Sequence, residues 1–185
     1  MSTEETDTHV CDTPVKEALA QMFNVKTAVD IGCGNGEYTK YLIEHGIDCI
    51  GYDGSPLTPE LTGGLCFIKD FSEPVDIGKF DLVISLEVGE HIPKEYEHIF
   101  IDNLCNATNK FIVLSWAIIG QRSFDITKFA PEDYPVDMHV NCQDNYYVIS
   151  EMRKRNLELN VEMTRYLRSV CTFPWFKNTI LIFEK

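Results

Sequence analysis

The chain has 185 residues, 44% hydrophobic and 24% charged, enough for one domain with a sizeable core and too few for two comfortable ones. Its formal net charge of −13 argues against a long non-specific grip on nucleic acid or on an anionic membrane, since both need clustered Lys and Arg. No apolar run approaches the length of a membrane span, and the seven cysteines, odd in number and without a C-x-x-C pair, read as free thiols of a reducing, cytoplasmic compartment.

Residues 1–12 read as a disordered acidic tail, the opposite of a secretory or mitochondrial leader, and residues 13–185 as one domain. Thr13-Pro14 opens an amphipathic helix to about Met22, with Pro in its first turn. Thr27 to Ile31 is a short apolar strand that runs straight into a Gly-rich turn. Tyr38 to Glu44 is a helix stopped by His45-Gly46. Cys49 to Asp53 and Leu65 to Lys69 are strands, and the nearly continuous apolar run Phe80 to Leu86 suits a parallel strand covered on both faces. Tyr96 to Ala107 is a helix and Lys110 to Trp116 a fifth strand. An irregular stretch follows, from Ala117 to Asp144. Then come a helix (Tyr146 to Arg155), a strand over Leu157 to Leu167, and a last strand over Thr179 to Phe183. This alternation predicts a doubly wound, Rossmann-like α/β sheet, mostly parallel. No helix is predicted between the last two strands, so they should close the sheet as an antiparallel C-terminal hairpin. Ligands of such sheets sit beyond the carboxyl ends of the strands.

The strongest local signal is Val29-Asp30-Ile31-Gly32-Cys33-Gly34-Asn35-Gly36. Glycines at Gly32, Gly34 and Gly36 let the backbone turn tightly and approach a ligand where a helix begins. A dinucleotide fingerprint wants Gly or Ala at position 37, and that position is Glu37. Asp53, ending the next strand, can accept hydrogen bonds from two ribose hydroxyls. After the third strand, Asp70 can accept from an adenine amine and Phe71 can stack. Together they describe an adenosine pocket without a pyrophosphate.

These residues resemble the class I S-adenosylmethionine-dependent methyltransferases, well over about residues 14–116 and loosely beyond. The resemblance implies that the class I fold is present, that S-adenosylmethionine is the cofactor, and that S-adenosylhomocysteine is the product. It implies that Asp30 and Gly32 to Gly36 face the methionine moiety, Asp53 the ribose, and Asp70 with Phe71 the adenine. Glu87, ending the fourth strand, would lie beside the reacting methyl group.

Transfer to a hydroxyl requires a base, for which a neutral imidazole is suited. Two histidines qualify. His139, in His139-Val140-Asn141-Cys142-Gln143, is the leading candidate. His91, in Glu87-Val88-Gly89-Glu90-His91-Ile92-Pro93, is the second; an Glu-His-Ile-Pro ending is similar to those of small-molecule methyltransferases. The block Ser115-Trp116-Ala117, Gly120-Gln121 and His-Val-Asn-x-Gln resembles one in small, glycan-associated methyltransferases of bacteria and large viruses. By that likeness Trp116, Gln121, Asn141 and Gln143 would meet the acceptor, with Phe124, Phe129 and Tyr134 as further wall. The seventeen residues between Gln121 and His139 depart from that pattern.

The expectation is therefore O-methylation of a sugar, glycan or other small-molecule hydroxyl, in association with a glycosyltransferase or other partner. No nucleic-acid or membrane partner is expected, and no metal, although Asp137, His139 and Asp144 are conceivable ligands. A protein or peptide N-methyltransferase and a non-catalytic partner subunit are the alternatives. The motifs of cytosine C5 and adenine amino methylation are absent, and Glu87 and Glu90 lie too close together for the paired-glutamate loop of arginine methyltransferases.

Overall fold

The computed structural model describes residues 10–121 and 139–185. Seven strands form one sheet in the order β3-β2-β1-β4-β5-β7-β6. They are β1 (Thr27–Ile31), β2 (Asp48–Asp53), β3 (Phe67–Ile68), β4 (Phe80–Leu86), β5 (Thr108–Ser115), β6 (Glu158–Leu159) and β7 (Leu181–Glu184). The first five run parallel, and β7 is antiparallel to both β5 and β6. The chain order reverses between β1 and β4, which pair Ala28 with Leu82 and Asp30 with Ile84. That reversal opens a crevice at the carboxyl ends of the two strands.

Successive residues of the central strands bury opposite faces. Val83, Ile112 and Leu114 pack with α4 (Glu97–Ala107) and α5 (Asn145–Arg153) through Phe100, Leu104, Val148 and Met152. Leu82, Ile84 and Val113 pack with α1 (Thr13–Met22), α2 (Glu37–Glu44) and α6 (Val161–Val170) through Leu19, Leu42 and Leu167. Both faces are apolar because both are covered, the reason β4 reads as a continuous hydrophobic run. Among the described residues, no helix is long and apolar enough to cross a membrane.

Three expectations change. The strand expected over Leu157 to Leu167 is reduced to β6, and α6 occupies most of that segment. Asn160 caps α6, its side chain accepting from the Met163 amide at 2.9 Å, and Met163, Leu167 and Val170 recur with helical spacing. The last two strands are thus an antiparallel pair joined through α6 and α7 (Phe176–Thr179) rather than a hairpin. The strand over Leu65 to Lys69 shortens to β3. The third change concerns the tail. Asp12 is fully buried, and its Oδ2 accepts from the amides of Thr172 at 2.7 Å and Phe173 at 2.8 Å. Its own amide donates to the Tyr38 hydroxyl at 3.0 Å. Asp12 is therefore part of the fold, stitching the chain before α1 to the segment after α6.

Asp12→Ala should leave two partly buried amides without their acceptor and cost roughly 1–3 kcal/mol. Urea unfolding measures this; a loss below about 0.5 kcal/mol would show that the stitch carries no stability.

Candidate functional site

The crevice is built first from backbone. After β1, Gly32 turns with φ of 80°, and the amides of Gly32 and Cys33 both donate to the Tyr52 carbonyl, at 2.7 and 3.0 Å. A Cβ on Gly32 would stand 2.2 Å from a methyl of Val88, so only glycine lets this turn meet the loop after β4. Beneath it, Asp30 is 3% exposed and its Oδ2 accepts from the Thr39 hydroxyl at 2.8 Å. Burial pushes the Asp30 carboxyl up to about 6, opposed by the Thr39 hydrogen bond and assisted by the charge of Asp53. Asp30 thus ties β1 to α2 and shapes the glycine turn from below.

Asp53 is half-buried at the end of β2. Its Oδ2 accepts from the Gly34 amide and its Oδ1 from the Ser55 amide, each at 2.9 Å. A carboxylate offers about four acceptor positions, so Asp53 holds the glycine loop and keeps lone pairs for two hydroxyls. This donor and acceptor set fits an adenosine ribose beside a backbone cradle. Ser55 was not singled out in the sequence; its contribution is a main-chain amide, which no residue type announces. Asp70 is exposed and accepts from the Ser72 amide and hydroxyl at 2.8 and 2.6 Å. Phe71 is a correction. It is 5% exposed, packs 6.0 Å from the Tyr52 ring, and lies in the core rather than presenting a face to adenine.

A second group of side chains lies beyond β4. Glu87 has a φ of 55°, and its amide donates to the Ser115 hydroxyl at 2.8 Å. Its Oε2 accepts from Gln121 Nε2 at 2.8 Å, while Oε1 is buried without a hydrogen-bond partner. Glu90 is fully buried; its carboxyl lies near the backbone of Ala117 and the carboxyl of Glu87, and neither oxygen makes a hydrogen bond of good geometry. Burial raises both carboxyls, and for Glu90 the neighbouring Glu87 charge adds to it. The Glu90 carbonyl accepts from the amides of Val140 at 2.9 Å and Asn141 at 3.0 Å. Those two bonds bring His139 to the site, its Nδ1 3.1 Å from the Gln121 carbonyl and its ring centroid 5.1 Å from that of His91. His91 is exposed and His139 half-buried. The two candidate bases therefore share one site with Glu87 and Gln121.

Three residues expected to meet the acceptor have partners within the protein. Trp116 is 2% exposed, lies against Phe100, and donates through Nε1 to the Asn141 carbonyl at 2.6 Å. A Cβ on Gly89 would fall 2.4 Å from its ring, so the indole is the floor under the β4 loop and not a stacking platform. Asn141 is buried and donates to Glu97 Oε2 at 2.9 Å, and Gln143 donates to Glu97 Oε2 at 3.2 Å and to Asn141 Oδ1 at 2.6 Å. Lys94 and Tyr147 also bond Glu97. Both amides are thus consumed in holding this segment to α4. Glu97, 4% exposed, is the hub the sequence reading missed; an acid opening a helix gives no hint of burial. Asp144 caps α5, accepting from the Tyr147 amide at 2.7 Å. Phe124, Phe129, Tyr134 and Asp137 lie outside the described residues.

The Asp30 environment has a pH signature. Its raised carboxyl binds a proton more readily folded than unfolded, so that stabilisation is full below about pH 4 and is lost as pH rises through about 6. Asp30→Asn lacks this loss. Its unfolding free energy should gain on wild type by up to about 3 kcal/mol between pH 4 and 7. Denaturant titrations across that range check it, and parallel curves would contradict a buried, destabilised carboxylate.

Comparison with known proteins agrees with this geometry. A family model described as a methyltransferase domain matches residues 4–159. The chloroplastic tocopherol O-methyltransferase of Arabidopsis thaliana is 31% identical over 108 residues, covering 50% of this chain and 30% of that protein. The probable tocopherol O-methyltransferase of Oryza sativa subsp. japonica is 31% identical over 107 residues, covering 49% and 29%. The chain thus spans less than a third of the length of these curated relatives. A TehB-like S-adenosylmethionine-dependent methyltransferase from Corynebacterium glutamicum superposes with a TM-score of 0.64 at 15% identity, over 93% of this chain and 87% of that one. Magnesium protoporphyrin IX methyltransferase from Synechocystis PCC 6803, solved with bound S-adenosylhomocysteine, gives 0.62 at 18% identity, over 92% and 78%. The structural likenesses establish the fold, the family model covers most of the chain, and the chain belongs to the methyltransferase-domain family with the class I S-adenosylmethionine-dependent fold.

Proposed function

We propose that this chain is an S-adenosylmethionine-dependent methyltransferase that methylates a hydroxyl oxygen of a small molecule, with His139 as general base. The observation that carries the reading is the position of His139 beside Glu87 at the carboxyl end of β4, next to a glycine turn braced by Asp53. When bound, S-adenosylmethionine supplies an electrophilic methyl group on a sulfonium. The backbone of Gly32 to Gly36 and the carboxylate of Asp53 are the groups that would hold it. Because the Gln121 carbonyl can only accept, the hydrogen bond to His139 requires the proton on Nδ1 and leaves the Nε2 lone pair to take the hydroxyl proton. Two plant relatives named as tocopherol O-methyltransferases support oxygen of a small molecule as acceptor. A glycan acceptor is less well supported, because Trp116, the first member of its expected aromatic wall, is buried.

A second reading has an observation of its own. The unpartnered oxygens of Glu87 and Glu90 would suit an ammonium group, as on a lysine or a chain N-terminus, and favour a peptide amine acceptor.

Calorimetric titration with S-adenosylhomocysteine, with NADH as control, tests the cofactor. One-site binding of the homocysteine alone is expected, weakened at least tenfold in Asp53→Ala; binding of NADH instead, or of neither, would sink the assignment. In a screen of hydroxylated small molecules and peptide amines, His139→Ala should slow methylation of a hydroxyl by ~10²–10⁴-fold. Turnover confined to amines would transfer the function to the second reading.

A further inference from the structure

Glu90, His91 and His139 come together without any sequence pattern that announces it. Glu90 and His91 are neighbours on a 3₁₀ turn, Gly89–His91, and the two amide bonds from Val140 and Asn141 to the Glu90 carbonyl bring the adjoining His139 alongside. One ligand atom from each of the three lies within 4.8 Å of the other two. We infer that these three residues form a binding site for one divalent first-row transition-metal ion on the acceptor side of the crevice.

The independent observation is the Glu90 carboxylate. It is fully buried and neither oxygen makes a hydrogen bond of good geometry, with the backbone of Glu90 and Ala117 and the carboxyl of Glu87 as its polar neighbours, while Glu87 contributes another poorly satisfied oxygen. A buried carboxylate so poorly served by donors costs several kcal/mol unless it takes up a proton or faces a positive charge. Glu90 is one of only a few such groups among the described residues, and it belongs to the one cluster there of three metal-competent side chains. A cation accounts for both facts at once.

The donor set selects the kind of cation. Two imidazoles and one carboxylate suit zinc, cobalt, iron or manganese, whereas magnesium and calcium take oxygen ligands. His139 also has the outer contact of a metal-bound imidazole: its Nδ1 is held by the Gln121 carbonyl at 3.1 Å, which fixes the tautomer and leaves Nε2 to coordinate. Ligands at about 2.0–2.2 Å from zinc stand ~3.5 Å apart, so the cluster must contract by about 1 Å, within reach of side-chain rotation. Exposure falls from His91 through His139 to Glu90, giving an entry route from solvent. Three protein ligands leave open positions for water or an acceptor oxygen. With metal bound, His139 would serve as a ligand in place of its role as base, and the ion would supply Lewis-acid chemistry at the hydroxyl. This replaces the expectation of no metal, and it uses neither Asp137 nor Asp144. Metal binding itself does not rest on the methyl-transfer reading.

The test uses the whole chain, stripped with a chelator and titrated with Co²⁺ by visible absorption and with Zn²⁺ by calorimetry. The expected result is one saturable site with the absorption of nitrogen- and oxygen-ligated cobalt. Glu90→Gln and His91→Ala should each weaken it at least about tenfold, the low end of the loss seen when even an outer partner is removed. Far-UV circular dichroism and the urea midpoint confirm that both variants are folded; His91 is exposed, so its variant carries the test if Glu90→Gln does not fold. Three results would overturn the site: no saturable binding, a thiolate-to-cobalt charge-transfer band that moves the ion to a cysteine, or weak multi-site binding equal in wild type and variants. S-adenosylhomocysteine titrated on the same preparation reports separately on the cofactor, so failure of the metal site and failure of the methyltransferase reading are distinguishable.

Discussion

The loops at the carboxyl ends of β1 and β4 meet so closely that the bare backbone of Gly32 packs directly on the Val88 side chain. Gly89 lies flat on the Trp116 ring; a single methyl at either place would overlap atoms already there. The crevice exists because these loops come so close. Gly32 brings the β1 turn over the sheet, where its amides and that of Cys33 reach the Tyr52 carbonyl, and Asp53 then fastens Gly34 from the side. Gly89 lets the 3₁₀ turn that carries Glu90 and His91 lie against the Trp116 ring.

The second half of the site hangs on that first contact. Because the β4 loop rests on Trp116, the Glu90 carbonyl faces the 139–143 segment and accepts two of its amides. Asn141 and Gln143 then turn inward to Glu97, joined there by Lys94 and Tyr147. A connection that carries function usually borrows its rigidity from a scaffold, and here the scaffold is α4 through one buried glutamate. Polar side chains that look like substrate contacts are spent on this anchoring. The carboxylates of Glu87 and Glu90, by contrast, are buried and left with oxygens unsatisfied, an arrangement with a cost to stability that a stored charge or proton must offset.

Much of this was legible in the sequence because it depends on local rules. Strand and helix periods, the glycine turn after an apolar strand, and an acid at the end of the next strand are short-range features, and β1, α2, β2, β4 and α4 stand within a few residues of where those features put them. The failure at Leu157 to Leu167 was also local: a short strand and an Asn-capped helix adjoin there, and the apolar residues were assigned the wrong period. Misjudging Asp12 had a different cause. Nothing in an acidic N-terminal stretch reveals that one carboxylate will find two amides 160 residues away.

What the sequence determined by itself was the doubly wound fold and the glycine turn with Asp53 beside it, since both are written in contiguous segments whose backbone conformation follows from their residue types. The tertiary structure decided the other side of the crevice. Trp116, Asn141 and Gln143 became floor and anchor, and Glu90, His91 and His139 became neighbours, because burial and hydrogen-bond satisfaction are settled between β4, α4 and the 139–143 segment. Each of those segments is silent about which of its polar groups the others will use.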